Sequence, residues 1–311
     1  MNYRKIFLRR GKEESLKRLH PWIFSGAIAK MDPEIEEGDI VSVYTSENKF
    51  IAVGHYQIGS IAVRILDFNE RRIDETFFIE RLEQAYQLRF SIGLIRPDNN
   101  AFRLVHGEGD FLPGLVVDIY DKTAVIQAHS PGMHYARNII AEALVKIADG
   151  IVTNVFYKSE TTLPYKAQLN SQDGYIKGDF DSNIAVENGL KFHVDWLRGQ
   201  KTGFFVDQRE NRSLLEHYAK DRSVLNMFCY TGGFSFYAMR GGAKVVHSVD
   251  SSAKAIQLTK DNVELNFPGD PRHQAFEEDA FKFLGEIDGK YELIILDPPA
   301  FGKHKSEVKN A

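Results

Sequence analysis

The chain has 311 residues, 43% of them hydrophobic, with a formal charge of −4 and a single cysteine. That length allows two or three domains with cores that need no covalent staples, and one cysteine excludes both a disulfide framework and a thiolate metal cluster. The N-terminal residues hold no apolar stretch long enough for a secretion signal, and no run reaches the roughly 20 apolar residues a bilayer span requires; the expectation is a soluble, cytoplasmic protein without membrane contact.

Residues 1–20 concentrate Arg4, Lys5, Arg9, Arg10, Lys12, Lys17 and Arg18 against Glu13 and Glu14. Such an arm suits phosphates, and it equally suits a solvated strand pair balanced by the acidic segment Asp32 to Asp39. Short strands are predicted at Lys5 to Arg9, Asp39 to Tyr44, Phe50 to Tyr56 and Ser60 to Leu66, with turn chemistry at 36–39 and 46–49. Together they describe a small β-barrel-like module over residues 1–70. After a polar linker, Phe78, Leu82, Ala85 and Tyr86 fall on one face of a helix. Strands at Phe102 to Val105, Leu115 to Tyr120, Thr123 to Ala128 and Val152 to Tyr157 then surround a helix from His134 to Ile147, a central α+β domain over residues 75–190. His106, Glu108 and Asp110 lie in a glycine-rich turn here, a pattern more often structural than metal-binding.

The last third, residues 195–311, reads as an α/β Rossmann-like domain whose first strand is Val224 to Phe228. Its apolar runs are short and end in Gly or Asp, where ligands of open parallel sheets sit. Gly232 and Gly233 open the helix Phe234 to Arg240 and let backbone approach a ligand closely. Asp250, seventeen residues after Gly233, ends the next strand, where an acid can accept from both ribose hydroxyls of an adenosine-containing cofactor. Ser251 or Ser252 caps the helix that follows. A pyrophosphate needs Gly-x-Gly-x-x-Gly, which Tyr230-Thr-Gly-Gly-Phe-Ser235 lacks, so a dinucleotide dehydrogenase is disfavoured. Gly199-Gln-Lys-Thr202 is likewise no P-loop. S-adenosylmethionine, which has no phosphate, fits the shorter turn. Asp279 lies where an adenine amino group could be held, and also where a helix N-cap belongs. Asp297-Pro298-Pro299 stiffens a loop at the switch point of the sheet, where the carboxylate and a proline carbonyl can grip an exocyclic amino group while Phe301 stacks on the base; the same residues also simply end strands.

Residues 196–301 resemble the catalytic domain of the bacterial large-subunit (23S) ribosomal RNA (cytosine-C5) methyltransferases, class I S-adenosylmethionine-dependent enzymes. The resemblance rests on Gly199-Gln-Lys-Thr-Gly-Phe-Phe-Val-Asp-Gln-Arg209, Phe228-Cys-Tyr-Thr-Gly-Gly-Phe-Ser235, Asp250 and Asp297-Pro-Pro-Ala-Phe301. His20-Pro-Trp-Ile-Phe-Ser-Gly-Ala27 with Gly38-Asp-Ile-Val-Ser-Val43 resembles the PUA RNA-binding module of the same family, and residues 75–190 its central domain, including His106-Gly-Glu-Gly-Asp110 and Leu112-Pro-Gly-Leu115. The resemblance implies ribosomal RNA as partner and a cofactor held by Lys201, Gln208, Arg209, Tyr230, Thr231, Gly232, Gly233, Asp250, Asp279 and Asp297, with Asp297 and Pro298 at the base. Lys201 and Arg209 also read as surface charge, but Lys-Thr-Gly-Phe-Phe is too apolar for a free linker, and a loop folded over the cofactor is preferred.

Cytosine C5 is a poor nucleophile, so its methylation requires a thiolate that adds to C6. Cys229 sits inside the cofactor turn and is expected to meet the cofactor, not the base. The resemblance puts the nucleophilic cysteine beyond Asp-Pro-Pro. Only 14 residues follow Asp297, whereas completing such a sheet takes further strand-helix units of about 30 residues each. The expectation is a C-terminally truncated chain, inactive on cytosine by itself. A guanine methyltransferase sharing the Asp-Pro-Pro site, and a non-catalytic RNA-binding or ribosome-assembly protein, are the alternatives.

Overall fold

The computed structural model describes residues 3–147, 150–164, 169, 172–287 and 289–299. Its contacts divide the chain into two compact units, Met1–Asn183 with Val194–Val206, and Ile184–His193 with Asp207–Ala311.

The first unit holds two sheets. β1 (Arg4–Leu8), β2 (Trp22–Phe24), β3 (Ile28–Met31), β4 (Ile40–Tyr44), β5 (Phe50–Tyr56) and β6 (Ile61–Asp67), with the single-turn α1 (Glu14–Lys17), form a sheet in the order β2-β6-β5-β4-β1-β3. Its pairs are antiparallel except β1 with β4. Alternation of apolar and polar residues places Ile6, Leu8, Val41, Val43, Val63 and Ile65 in a small core. The basic arm divides between its two readings: Arg4 bonds the Pro33 carbonyl and Glu34, and the Lys5 amide bonds Asp32, while Arg10, Lys12 and Arg18 are exposed.

The second sheet runs β11-β10-β9-β8-β7, from β7 (Ala101–His106), β8 (Leu115–Tyr120), β9 (Thr123–Ala128), β10 (Asn154–Tyr157) and β11 (Gly174–Lys177). Every residue of β9 is buried, as expected of an apolar central strand. α2 (Glu75–Ser91) starts where Asp74 accepts the Phe77 amide and buries Phe77, Phe78, Leu82, Ala85 and Arg89. The helix expected from His134 to Ile147 is two, α3 (Pro131–Tyr135), capped by Ser130, and α4 (Arg137–Lys146). Val53 and Leu66 of the first sheet share one core with Phe77, Leu104, Val117 and Ile126, which makes the two sheets a single unit. Trp22 Nε1 and Arg64 both donate to Glu108, tying the N-terminal sheet to the glycine-rich turn after β7.

In the second unit, β12 (Ile184–Glu187) and β13 (Leu190–His193) form a hairpin closed by Asn188 and Gly189, both at positive φ, the geometry of a two-residue turn that suits twisted strands. α5 (Arg209–Ala219) leads to β14 (Ser223–Met227), α6 (Gly233–Arg240), β15 (Val245–Asp250), α7 (Ala253–Asn266), β16 (His273–Glu277), α8 (Ala280–Glu286) and β17 (Leu293–Leu296). The sheet is parallel, in the order β16-β15-β14-β17. Chain order therefore reverses beside β14, which creates the switch point where such sheets bind ligands. Among the described residues no helix is long and apolar enough to cross a membrane.

Candidate functional site

β14 is buried through Val224, Leu225, Asn226 and Met227 and delivers the chain into a tight turn, residues 228–232, ahead of α6. Phe228, Tyr230 and Gly232 there have φ of 53°, 48° and 82°. A left-handed phenylalanine or tyrosine costs on the order of 1 kcal/mol or more, so the surroundings must over-determine the turn. They do. The Cys229 amide bonds the Val249 carbonyl at 3.0 Å and the Gly232 amide bonds the Cys229 carbonyl at 2.8 Å. A Cβ on Gly232 would lie 2.7 Å from Thr259 Cγ2 and 2.8 Å from the Phe236 ring, which restricts this position to glycine.

Asp250 ends β15 beside the turn. Its Oδ2 accepts the Tyr230 amide at 3.0 Å and its Oδ1 accepts the Ser252 amide at 2.9 Å. A carboxylate has about four lone-pair sites, so two backbone bonds hold the group in place and leave capacity for two further donors such as paired hydroxyls. Ser252, of the two candidate serines, is the cap of α7, accepting the Ala255 amide.

Gln208 and Arg209 begin α5. The Gln208 Oε1 accepts from Asn211 at 2.7 Å. Arg209 meets Glu210 through Nε at 3.3 Å, while its Nη1 is buried with no acceptor among the described residues. A buried guanidinium donor left unpaired is costly, and it suits a site for a ligand carboxylate. Asp279 follows β16, is exposed, and caps α8 by accepting the Lys282 amide at 3.0 Å, so the cap role expected of it is present. Asp297 and Pro298 follow β17, the neighbour of β14, and are exposed. Phe301 lies outside the described residues.

The structure thus brings Tyr230, Thr231, Gly232, Gly233 and Asp250 together by direct bonds or adjacency, with Asp279 and Asp297 following the neighbouring strands. Lys201 belongs to the first unit, exposed, at φ 51°. Its segment packs there rather than hanging free: Thr202 donates to Asp118 at 2.6 Å, Lys158 donates to the Gly199 carbonyl at 2.8 Å, and Trp196 stacks on Tyr120 with centroids 6.2 Å apart.

Cys229 is buried, and that burial pushes its thiol up to about 12, against a weak contact with the Thr259 hydroxyl. It stays protonated at neutral pH and has none of the thiolate character an attacking cysteine needs. The turn after β7 has its acids committed elsewhere: Asp110 pairs with the buried Arg89 and accepts the His106 amide, and Glu108 takes Trp22 and Arg64.

Several residues around the turn were not singled out in the sequence. Glu187, on the hairpin, forms a buried two-bond pair with Arg212 at 2.8 and 2.7 Å and accepts from the Tyr237 hydroxyl at 2.9 Å. Burial and the Glu187 charge raise the Tyr237 pKa. Thr259 and Asn262 of α7 reach the turn's carbonyls. Their signal was available: both are polar residues at core-facing spacing in an amphipathic helix, and a buried polar group has a partner to find.

A family model described as S-adenosylmethionine-dependent methyltransferase matches residues 162–309, and one described as a PUA-like domain matches residues 6–68. The chain is 38% identical over 314 aligned residues to the protein named ribosomal RNA large subunit methyltransferase I from Tolumonas auensis, covering 98% of this chain and 78% of that one. The same-named protein of Vibrio campbellii is also 38% identical with the same coverage. Among solved structures, a methyltransferase in complex with S-adenosylhomocysteine superposes with a TM-score of 0.79 at 23% identity, covering 97% of this chain and 77% of that one. A SAM-dependent methyltransferase from Streptococcus mutans does so with a TM-score of 0.77 at 23% identity, covering 95% and 77%. These two likenesses establish the fold.

Proposed function

The chain belongs to the family of ribosomal RNA large subunit methyltransferase I, S-adenosylmethionine-dependent enzymes, and from this premise we propose that it methylates a base of large-subunit ribosomal RNA, at cytosine C5. The observation that carries the reading is the strained turn after β14 locked onto Asp250, in a chain that matches these relatives along almost its whole length. The buried Arg209 Nη1, without an acceptor among the described residues, supports the fit of a carboxylate-bearing cofactor.

S-adenosylmethionine supplies an electrophilic methyl group on a sulfonium. In this reading Asp250 accepts the ribose hydroxyls, Asp279 takes the adenine amino group beside its capping bond, and Arg209, with Gln208, receives the carboxylate. The turn Tyr230, Thr231, Gly232 and Gly233 lies along the cofactor. Asp297 and the Pro298 carbonyl accept from the exocyclic amino group of a base taken out of its stack. The PUA-like sheet, with exposed Arg10, Lys12 and Arg18, supplies affinity for phosphates. The three segments 1–70, 75–190 and 195–311 then divide the work into RNA capture, spacing and chemistry.

The second reading is guanine methylation at the same Asp-Pro-Pro site. C5 chemistry demands a thiolate, which the resemblance expects beyond Asp-Pro-Pro and not at the buried Cys229. Methyl transfer to guanine needs no covalent adduct.

Nucleoside mass spectrometry of 23S ribosomal RNA from cells with and without the gene tests both. Loss of 5-methylcytosine supports the first reading, and loss of a methylguanosine supports the second. An unchanged profile overturns both in favour of a non-catalytic RNA-binding role.

A further inference from the structure

α7 turns polar side chains toward the interior. Its buried residues are Ala255, Ile256, Thr259, Asn262 and Val263, and the two polar members are fully buried. A helix face packed on a sheet is ordinarily apolar, because an amide or hydroxyl taken from water must recover its hydrogen bonds. Thr259 and Asn262 recover theirs from the cofactor turn. The Thr259 hydroxyl donates to the Tyr230 carbonyl at 2.9 Å, and Asn262 Nδ2 donates to the Thr231 carbonyl at 3.2 Å.

The other end of Asn262 is also used. Its Oδ1 accepts the His193 amide at 2.7 Å. One turn on, Asn266 brackets Lys191, accepting its amide at 2.8 Å and donating to its carbonyl at 2.7 Å. The β12–β13 hairpin, far upstream in sequence, is thus clipped to α7 at two positions, and the clip at Asn262 continues into the turn. An asparagine carries an acceptor and a donor on one short rigid group, so it can bridge an amide to a carbonyl where aspartate or leucine cannot.

We propose that Asn262 and Thr259 are positioning residues for the cofactor. They hold the carbonyls of Tyr230 and Thr231 against α7 and so keep electronegative oxygens turned away from a ligand that itself carries a carboxylate and hydroxyls. The same bonds maintain the left-handed Tyr230 and Gly232, and the hairpin sets the Asn262 rotamer through the His193 amide. The inference rests on S-adenosylmethionine binding and is independent of which RNA base is methylated.

Calorimetric titration of the full chain with S-adenosylhomocysteine, without RNA and well below the melting temperature, tests it. Asn262→Ala is expected to weaken binding about tenfold or more, as loss of a buried bond with stranded partners implies. Asn262→Asp keeps the acceptor for His193 and loses the donor to Thr231, and is expected to weaken binding as much. Thr259→Val should weaken it about fivefold, with Thr259→Ser restoring it. Val263→Ala removes packing from the same helix and should lower the melting temperature while leaving affinity within about twofold. The proposal is overturned if Asn262→Ala and Asn262→Asp bind within about twofold of the parent while melting early as Val263→Ala does. Should Asn262→Ala fail to fold, parental affinity in both Asn262→Asp and Thr259→Val overturns it equally. Since no RNA is present, failure here leaves the ribosomal RNA assignment standing, and failure of that assignment leaves these affinities unchanged.

Discussion

The glycine-containing turns at residues 107–110 after β7 and 228–232 after β14 each have acids and left-handed residues in or beside them. In the first, Asp110 is paired with the buried Arg89 and Glu108 is shared by Trp22 and Arg64. In the second, Asp250 accepts from the Tyr230 and Ser252 backbone amides. Cations and an indole consume the acids of the first turn, Asp110 in a pair with α2 and Glu108 in joining two sheets. Backbone amides orient the acid of the second while leaving lone pairs to spare. Residue type does not separate a turn whose acids are consumed from one whose acid keeps capacity for a ligand; the partners of the acids do.

The largest effect expected to sharpen this contrast is in the structural turn. Asp110→Ala strands the buried Arg89 guanidinium and should cost about 3–5 kcal/mol in urea unfolding, with S-adenosylhomocysteine affinity of the folded protein unchanged. Weakened affinity with intact stability would erase the distinction between the turns. Asp250→Ala should do the reverse, raising the S-adenosylhomocysteine Kd about 100-fold, or about 2.7 kcal/mol, while lowering stability by less than about 2 kcal/mol. A variant that binds normally would remove Asp250 from the site.

Acid should act on both units. Burial pushes His55 in the first and His273 in the second down to about 4, with the nearby His247 charge adding to the effect on His273. The unfolded chain takes up these protons near pH 6.5, and the folded chain does so only near 4. The stability contributed by the neutral rings is therefore complete above pH 6.5 and is lost as pH falls from 6.5 to 4, on the order of 3 kcal/mol per ring. Urea midpoints of His273→Gln across pH 4 to 7 should fall less steeply than those of the parent; parallel profiles would show that His273 is not the titrating group. His273 reaches Asn226 through Ser248 and Ser235, so its protonation would be felt beneath the start of α6.

Much of the architecture was legible because its signals are local. Phe50–Tyr56, Leu115–Tyr120 and Thr123–Ala128 occupy the residues expected of them, since a run of β-branched and aromatic residues between turn residues needs no distant partner to be recognised. Trp22–Phe24, Ile28–Met31 and Gly174–Lys177 were not anticipated. They are short edge strands, half-exposed or exposed over most of their length, and pairing rather than pattern makes them strands. The β12–β13 hairpin carries a local signature, Asn188-Gly189 between alternating residues. The three expected segments also meet a different grouping: 184–193 packs with the second unit, and 194–206 with the first.

By itself the sequence determined the parallel sheet, the glycine turn after its first strand and the acid ending its second, because each follows from residue type and spacing along a continuous stretch. It also placed Cys229 inside that turn. Only the tertiary structure decided how that turn is held. The bonds that hold it join Thr259 to Tyr230 and Asn262 to Thr231, about 30 positions apart, and the His193 amide to Asn262 over a separation of 69, and no local pattern specifies which buried amide will meet which carbonyl.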